Sequence, residues 1–145
     1  MSIITGSKKL FLPRRTKMEL ESIEVIVITP INLTEDVQKV VFAVKNLLPD
    51  SELVIRKNNL YTKMNNFNGL RKIKDKIRSK KTLAVLQRIL YNNYNMQSTW
   101  FLLNKQAAFS DVVVLVENEN ESPLGPIKIT LNGCELERIN EWFEK

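Results

Sequence analysis

At 145 residues, with 43% hydrophobic and 8% aromatic side chains, the chain is expected to form one globular domain able to bury its own core, which excludes a disordered or fibrous polypeptide. A single cysteine, Cys134, and no histidine exclude an internal disulfide, a cysteine-rich zinc cluster and the enzymes that work through a histidine base. The net charge of +6 is unevenly placed: residues 71–81 hold seven cations and one acid, whereas 111–145 hold three cations and eight acids.

The first segment, MSIITGSKKLFLPRRTK, carries five cations and no acid and has no continuous apolar stretch of the secretory kind. Residues 1–20 therefore read as a flexible basic arm ahead of a single domain over 21–145. Met18 offers an alternative start, and the acid-free, Ser/Thr-bearing composition leaves a transit peptide open.

ESIEVIVIT (21–29) is rich in β-branched residues and predicts a buried strand ending at Pro30. Thr34 is the expected N-cap of the next helix, with Glu35 and Asp36 in a first turn whose dipole favours acids. Val37, Val40, Val41, Val44, Leu47 and Leu48 follow at helical spacing, and Pro49 stops the helix. Two short strands are predicted at 52–56 and 60–64 around a turn at Lys57, Asn58 and Asn59, with NNFNG (65–69) as a loop.

Helices follow over 70–78, with Leu70, Ile73 and Ile77 apolar, and after a Thr82 cap, with Leu83, Leu86, Ile89 and Leu90 turned inward. Strands are predicted at 97–103, 111–117 and 127–131. A last helix from Glu135 buries Leu136, Ile139, Trp142 and Phe143. The order β-α-β-β-α-α-β-β-β-α, with short links, predicts an α+β fold: a mostly antiparallel sheet with helices packed on one face.

RKIKDKIRSKK (71–81) is the candidate nucleic-acid contact, because each phosphate neutralised by Lys or Arg releases counterions. Arg71, Lys72, Lys74, Lys76, Arg78, Lys80 and Lys81 are the expected backbone-binding residues, against the plainer reading of a solvated helix face. Arg71 and Lys72 oppose the dipole of the first turn, which a purely structural surface would avoid. Phe67, Tyr61, Tyr91 and Tyr94 are candidate stacking residues, or covers for core edges.

SPLGPI (122–127) reads as a tight reversal, with Pro123 at its second position and Gly125 near its fourth. Asp111, Glu117, Glu119 and Glu121 lack the spacing of a metal site, and Cys134, beside Glu135 and Glu137, reads as an inert thiol. No catalytic residue, metal or cofactor is expected.

TPINLTEDVQKVVFAVKNLLPD, LNKQAAF and ESPLGPIKI, in this order and spacing, resemble an uncharacterised family of small archaeal proteins. That family is similar in fold to the large-subunit ribosomal protein that binds 5S ribosomal RNA. The resemblance covers roughly residues 22–131; it implies an α+β fold, a cytoplasmic setting, no enzymatic activity and RNA as a partner by fold analogy. The basic run at 71–81 is not among the residues that carry it.

Within NKQAAF (104–109), the expectation is a compact loop or single helical turn. Ala107, Ala108 and Phe109 would pack inward, Asn104 and Gln106 would bond the loop's own backbone, and Lys105 would be left outside. In the functional alternative Lys105 and Gln106 contact phosphate or sugar beside the basic helix.

The leading expectation is thus a non-enzymatic, cytoplasmic RNA-binding domain acting on structured RNA or at the ribosome, with no membrane partner. The rivals are an assembly protein forming a homodimer through a sheet edge or the last helix, and an enzyme using carboxylates.

Overall fold

The computed structural model describes residues 23–145, so the expected basic arm over 1–20 and the alternative start at Met18 lie outside the described residues. Strand β1 (Glu24–Pro30) is followed by α1 (Val37–Leu47), β2 (Val54–Arg56), β3 (Asn59–Met64), α2 (Arg71–Ser79), α3 (Leu83–Asn93) and β4 (Ser98–Leu103). Then come α4 (Lys105–Phe109), β5 (Leu115–Val116), β6 (Ile127–Asn132) and α5 (Leu136–Glu144). The six strands form one sheet in the order β2-β3-β1-β6-β4-β5, antiparallel at every pairing. The α+β class, the antiparallel sheet and the helices on one face are as expected. The short α4 is the helical turn anticipated in NKQAAF.

Alternation sets the two faces of the sheet. Val25, Val27 and Thr29 of β1, Phe101 of β4 and Ile129 of β6 are buried against the helices, while Ile26, Ile28, Trp100, Lys128 and Thr130 point the other way and stay half-buried. Helix α1 adds Val40, Ala43, Val44 and Leu47 to the core, α2 adds Ile73 and Ile77, α3 adds Leu86, Ile89 and Leu90, and α5 adds Ile139 and Phe143. Two buried threonine hydroxyls are bonded to carbonyls: Thr29 Oγ1 donates to Pro126 O at 3.0 Å and Thr99 Oγ1 to Leu90 O at 2.8 Å.

Several local expectations are corrected. Asp36, not Thr34, caps α1: its Oδ1 accepts from the Gln38 N–H at 2.9 Å. Glu35 therefore precedes the helix and turns inward. The β2–β3 turn is two residues long, with Lys57 and Asn58 both at positive φ, which matches the twist of a tight hairpin.

NNFNG is not a loop throughout; a 3-10 turn at Phe67–Leu70, with the Asn66 side chain accepting from Asn68 N–H at 2.9 Å, runs directly into α2. Arg71 and Lys72 thus sit beyond the first turn of a longer helical run, which relieves the dipole conflict expected for them.

The predicted strand 111–117 shrinks to Leu115–Val116. Asp111 holds φ +61°, and the carbonyls of Asp111 and Val113 accept from Lys76 Nζ at 2.6 Å and Lys80 Nζ at 3.1 Å instead of joining a ladder. Side chains from α2 outcompete strand propensity here.

Candidate nucleic-acid interface

The seven cations of the basic run divide into two stripes. Ile73 and Ile77 are buried and fix the roll of α2. Lys72, Lys76 and Lys80, four residues apart, then fall on the side facing the 111–113 segment. There Lys72 Nζ pairs with Asp111 Oδ1 at 3.0 Å and Lys76 Nζ with Asp111 Oδ2 at 3.7 Å. Lys72 above all, with Lys76 beside it, holds the Asp111 carboxyl below its ordinary value. These three lysines fasten the helix to the loop.

Arg71, Lys74 and Arg78 recur at spacings of three and four along the other flank of α2, over about 10 Å of axis, and Lys81 follows just past the helix end at φ +59°. None of the four pairs with a carboxylate among the described residues, Asp75 included. Lys74 Nζ lies 4.5 Å above the Trp142 ring, which itself stacks on Phe67 at 5.1 Å. Phe67 and Trp142 pack against the core, so Phe67 anchors the stripe from beneath and is not a free stacking surface. Arg88, the other cation near by in sequence, is tied to Glu117 through two bonds of 2.9 and 3.2 Å.

Lys105 is elsewhere, and the expectation that it is left outside is corrected: it is 3% exposed. Asn104 caps α4 by accepting from Ala107 N–H at 2.8 Å, which sets Lys105 at the first helical position with its side chain running back beneath the chain before α1. Its ammonium donates to Pro30 O at 2.7 Å, Leu124 O at 2.9 Å and the Glu35 carboxylate at 2.9 and 3.2 Å. All three donors of the ammonium are thereby used, leaving none for a phosphate.

Asn32 completes the junction, its Nδ2 donating to Glu35 Oε1 at 2.8 Å and to Leu124 O at 2.7 Å. Burial alone would raise the Glu35 carboxyl, but the Asn32 N–H and the Lys105 ammonium outweigh it and hold the group below its ordinary value. TPINLTED, NKQAAF and SPLGPI, far apart in sequence, therefore meet at one buried ammonium. Phe109 differs from expectation too: Ala108 is buried, but Phe109 is 42% exposed and leans on Phe42 at 5.4 Å.

Between α1 and α4 an open cleft of about 410 Å³ is lined by Asp36, Lys39, Ala43, Gln106 and Phe109, above the saturated Lys105–Glu35 pair. Cys134 is buried, and burial pushes its thiol up, so it stays protonated at neutral pH. Three residues that the sequence does not single out, Trp100, Lys128 and Arg56, lie on the outer sheet face; the signal for the first two is the two-residue alternation of STWFLL and IKITLN, and Arg56 ends the three-residue strand VIR.

A family model described as RNA binding matches residues 24–132. A UPF0201 protein of Sulfurisphaera tokodaii is 32% identical over 83% of this chain and 86% of its own. Another, from Methanothermobacter thermautotrophicus, is 29% identical over 79% of this chain and 85% of its own. The crystal structure of a UPF0201 protein from Methanococcus jannaschii superposes with a TM-score of 0.69 at 26% identity, covering 83% of this chain and 91% of that one.

Proposed function

We propose, from the premise that this chain belongs to the archaeal UPF0201 family, whose model is described as RNA binding, that it is a non-enzymatic protein that grips the backbone of structured RNA. The observation that supports this is the unpaired row of Arg71, Lys74 and Arg78 on α2, with Lys81 just beyond the helix end. Three cations along one flank with Lys81 beyond them, anchored from the other flank by three lysines, present a row of charge that no carboxylate neutralises among the described residues. Such a row reads backbone and shape, not sequence. The seven residues named from sequence thus take two roles, four for contact and three for anchoring. Lys105 drops out of the contact set because its ammonium is already saturated.

The test is a salt titration of binding to a structured RNA. Three or four phosphate contacts require log K to fall against log salt with a slope of about −2 to −4. A flat slope would overturn the proposal.

One observation favours assembly as a second reading. The edge strand β2 exposes Val54 and Ile55, with Ile55 at 58%, and among the described residues pairs on one side only. The last helix does not offer the alternative dimer surface, since Ile139 and Phe143 are buried in this chain's own core. Light scattering separates the two: a stable dimer indifferent to RNA favours assembly.

A further inference from the structure

The outer face of the sheet carries chemistry that the basic helix does not use. Register places Trp100, Thr130, Ile26 and Lys63 in one row across β4, β6, β1 and β3, and Leu102, Lys128, Ile28 and Tyr61 in the next. An antiparallel sheet with one solvated face is expected to turn polar residues outward. Here the central strand turns Ile26 and Ile28 outward, with an indole to one side and a phenol to the other. At its β5 end Leu102 and Val116 are buried, whereas Ile26, Ile28, Trp100 and Tyr61 stay half-buried.

Cations sit on both rings: Lys128 Nζ is 4.7 Å from the Trp100 centroid and the Arg56 guanidinium 4.5 Å from that of Tyr61. At the Tyr61 corner an open hollow of about 620 Å³ is lined by Ile28, Arg56, Lys57, Asn59 and Tyr61. Among the strand residues of this face Glu24 is the one acid, and it is bound to Lys63 at 2.9 Å.

We infer that this face is a second nucleic-acid surface, taking unpaired RNA bases against Trp100, Tyr61 and the Arg56 plane, and their phosphates on Lys128 and Lys57. The inference rests on the RNA reading above but concerns the side of the sheet opposite α2. Charge selects the occupant. A second copy of the same face would set cations against cations. An unpaired strand supplies flat rings for the apolar strip and anions for its rim, whereas a duplex keeps its base faces stacked inside.

The experiment uses the full chain and two fluorescent probes, a single-stranded oligouridylate and a base-paired RNA hairpin with a minimal loop. Trp100→Leu and Tyr61→Leu should each weaken single-strand binding about tenfold and leave hairpin binding unchanged. Arg56→Ala and Lys128→Ala, which keep the rings, should lower the single-strand salt slope by about 0.7 each without changing the melting temperature.

If all four variants bind the single strand like the wild type while Arg71→Glu with Arg78→Glu still weakens the hairpin, the inference falls and the helix reading survives. A dimer of the wild-type chain that Trp100→Leu dissociates would also overturn it, by giving the face to a second copy. Loss of salt-sensitive binding to both probes would remove both readings.

Discussion

The Lys105 ammonium lies 2.9 Å from Glu35 Oε1, seventy residues away in sequence, with both side chains withdrawn from solvent. Removing one member of a buried, hydrogen-bonded pair strands the other, at a cost of about 3–5 kcal/mol. Lys105→Met is expected to fall in that range, because it also orphans Pro30 O and part of the Leu124 O bonding. Glu35→Gln keeps an acceptor and should cost less. The double variant should be more stable than the sum of the two losses implies, by about 1–3 kcal/mol. Urea unfolding of the four proteins closes the cycle; strict additivity would show that the pair is not coupled.

The same pair sets a pH dependence. The folded Glu35 carboxyl is held below its ordinary value, so its contribution is complete above the unfolded pKa of about 4.3. It is lost as pH falls through the lower folded value. The gap in melting temperature between wild type and Glu35→Gln should therefore be constant from pH 7 down to about 4.5 and close below that. Glu24, Asp111 and Glu117, also depressed but on the surface, stay ionisable in both proteins and cancel from the difference. A gap that does not narrow at all as pH falls below about 4.5 would contradict the assigned ionisation.

The elements legible in sequence are those whose signal is local. β1 and β6 alternate, α1 and α5 repeat at helical spacing, and the Ser122–Gly125 turn, closed by Gly125 N–H to Ser122 O at 2.9 Å, follows from its proline and glycine. Lys105 and Glu35 were misplaced because local rules put a lysine outside and an acid on a helix dipole, and only the meeting of three distant segments reverses both. The β-branched content of VVVLV predicts a strand, yet the carbonyls of Asp111 just before it and of Val113 within it are claimed by Lys76 and Lys80. The i, i+3, i+7 order of Arg71, Lys74 and Arg78 was visible in the sequence. Which stripe would be tied down was not, because Asp111 arrives from a separate loop.

Gly125 closes the junction from the opposite side. It holds φ +87°, and a Cβ there would lie 2.4 Å from Pro30 Cγ, whose ring belongs to the strand end that receives Lys105. Gly125→Ala thus combines a left-handed backbone with a clash against a ring that cannot swing away. A loss of about 2 kcal/mol or more is expected, read as a lower urea midpoint at unchanged m-value. A neutral result would mean that the SPLGPI turn is free to shift away from β1.

The two stripes of α2 give opposite signatures. Arg71→Glu, Arg78→Glu and Lys81→Glu together should leave the melting temperature near that of the wild type, since no partner is lost within the described residues, and should abolish most salt-sensitive RNA binding. Lys76→Glu should act the other way round: it repels Asp111 and breaks the bond to Asp111 O, so stability falls even without RNA. Asp111→Asn is the informative control. Asparagine tolerates the left-handed backbone at φ +61°, so the loop persists while Lys72 and Lys76 lose their counter-charge. RNA affinity should then rise and the salt slope steepen by up to about 1–2, as two more cations become available to phosphate. An unchanged slope in Asp111→Asn would confine the contact to the outer stripe, and a fall in affinity would remove α2 from the interface.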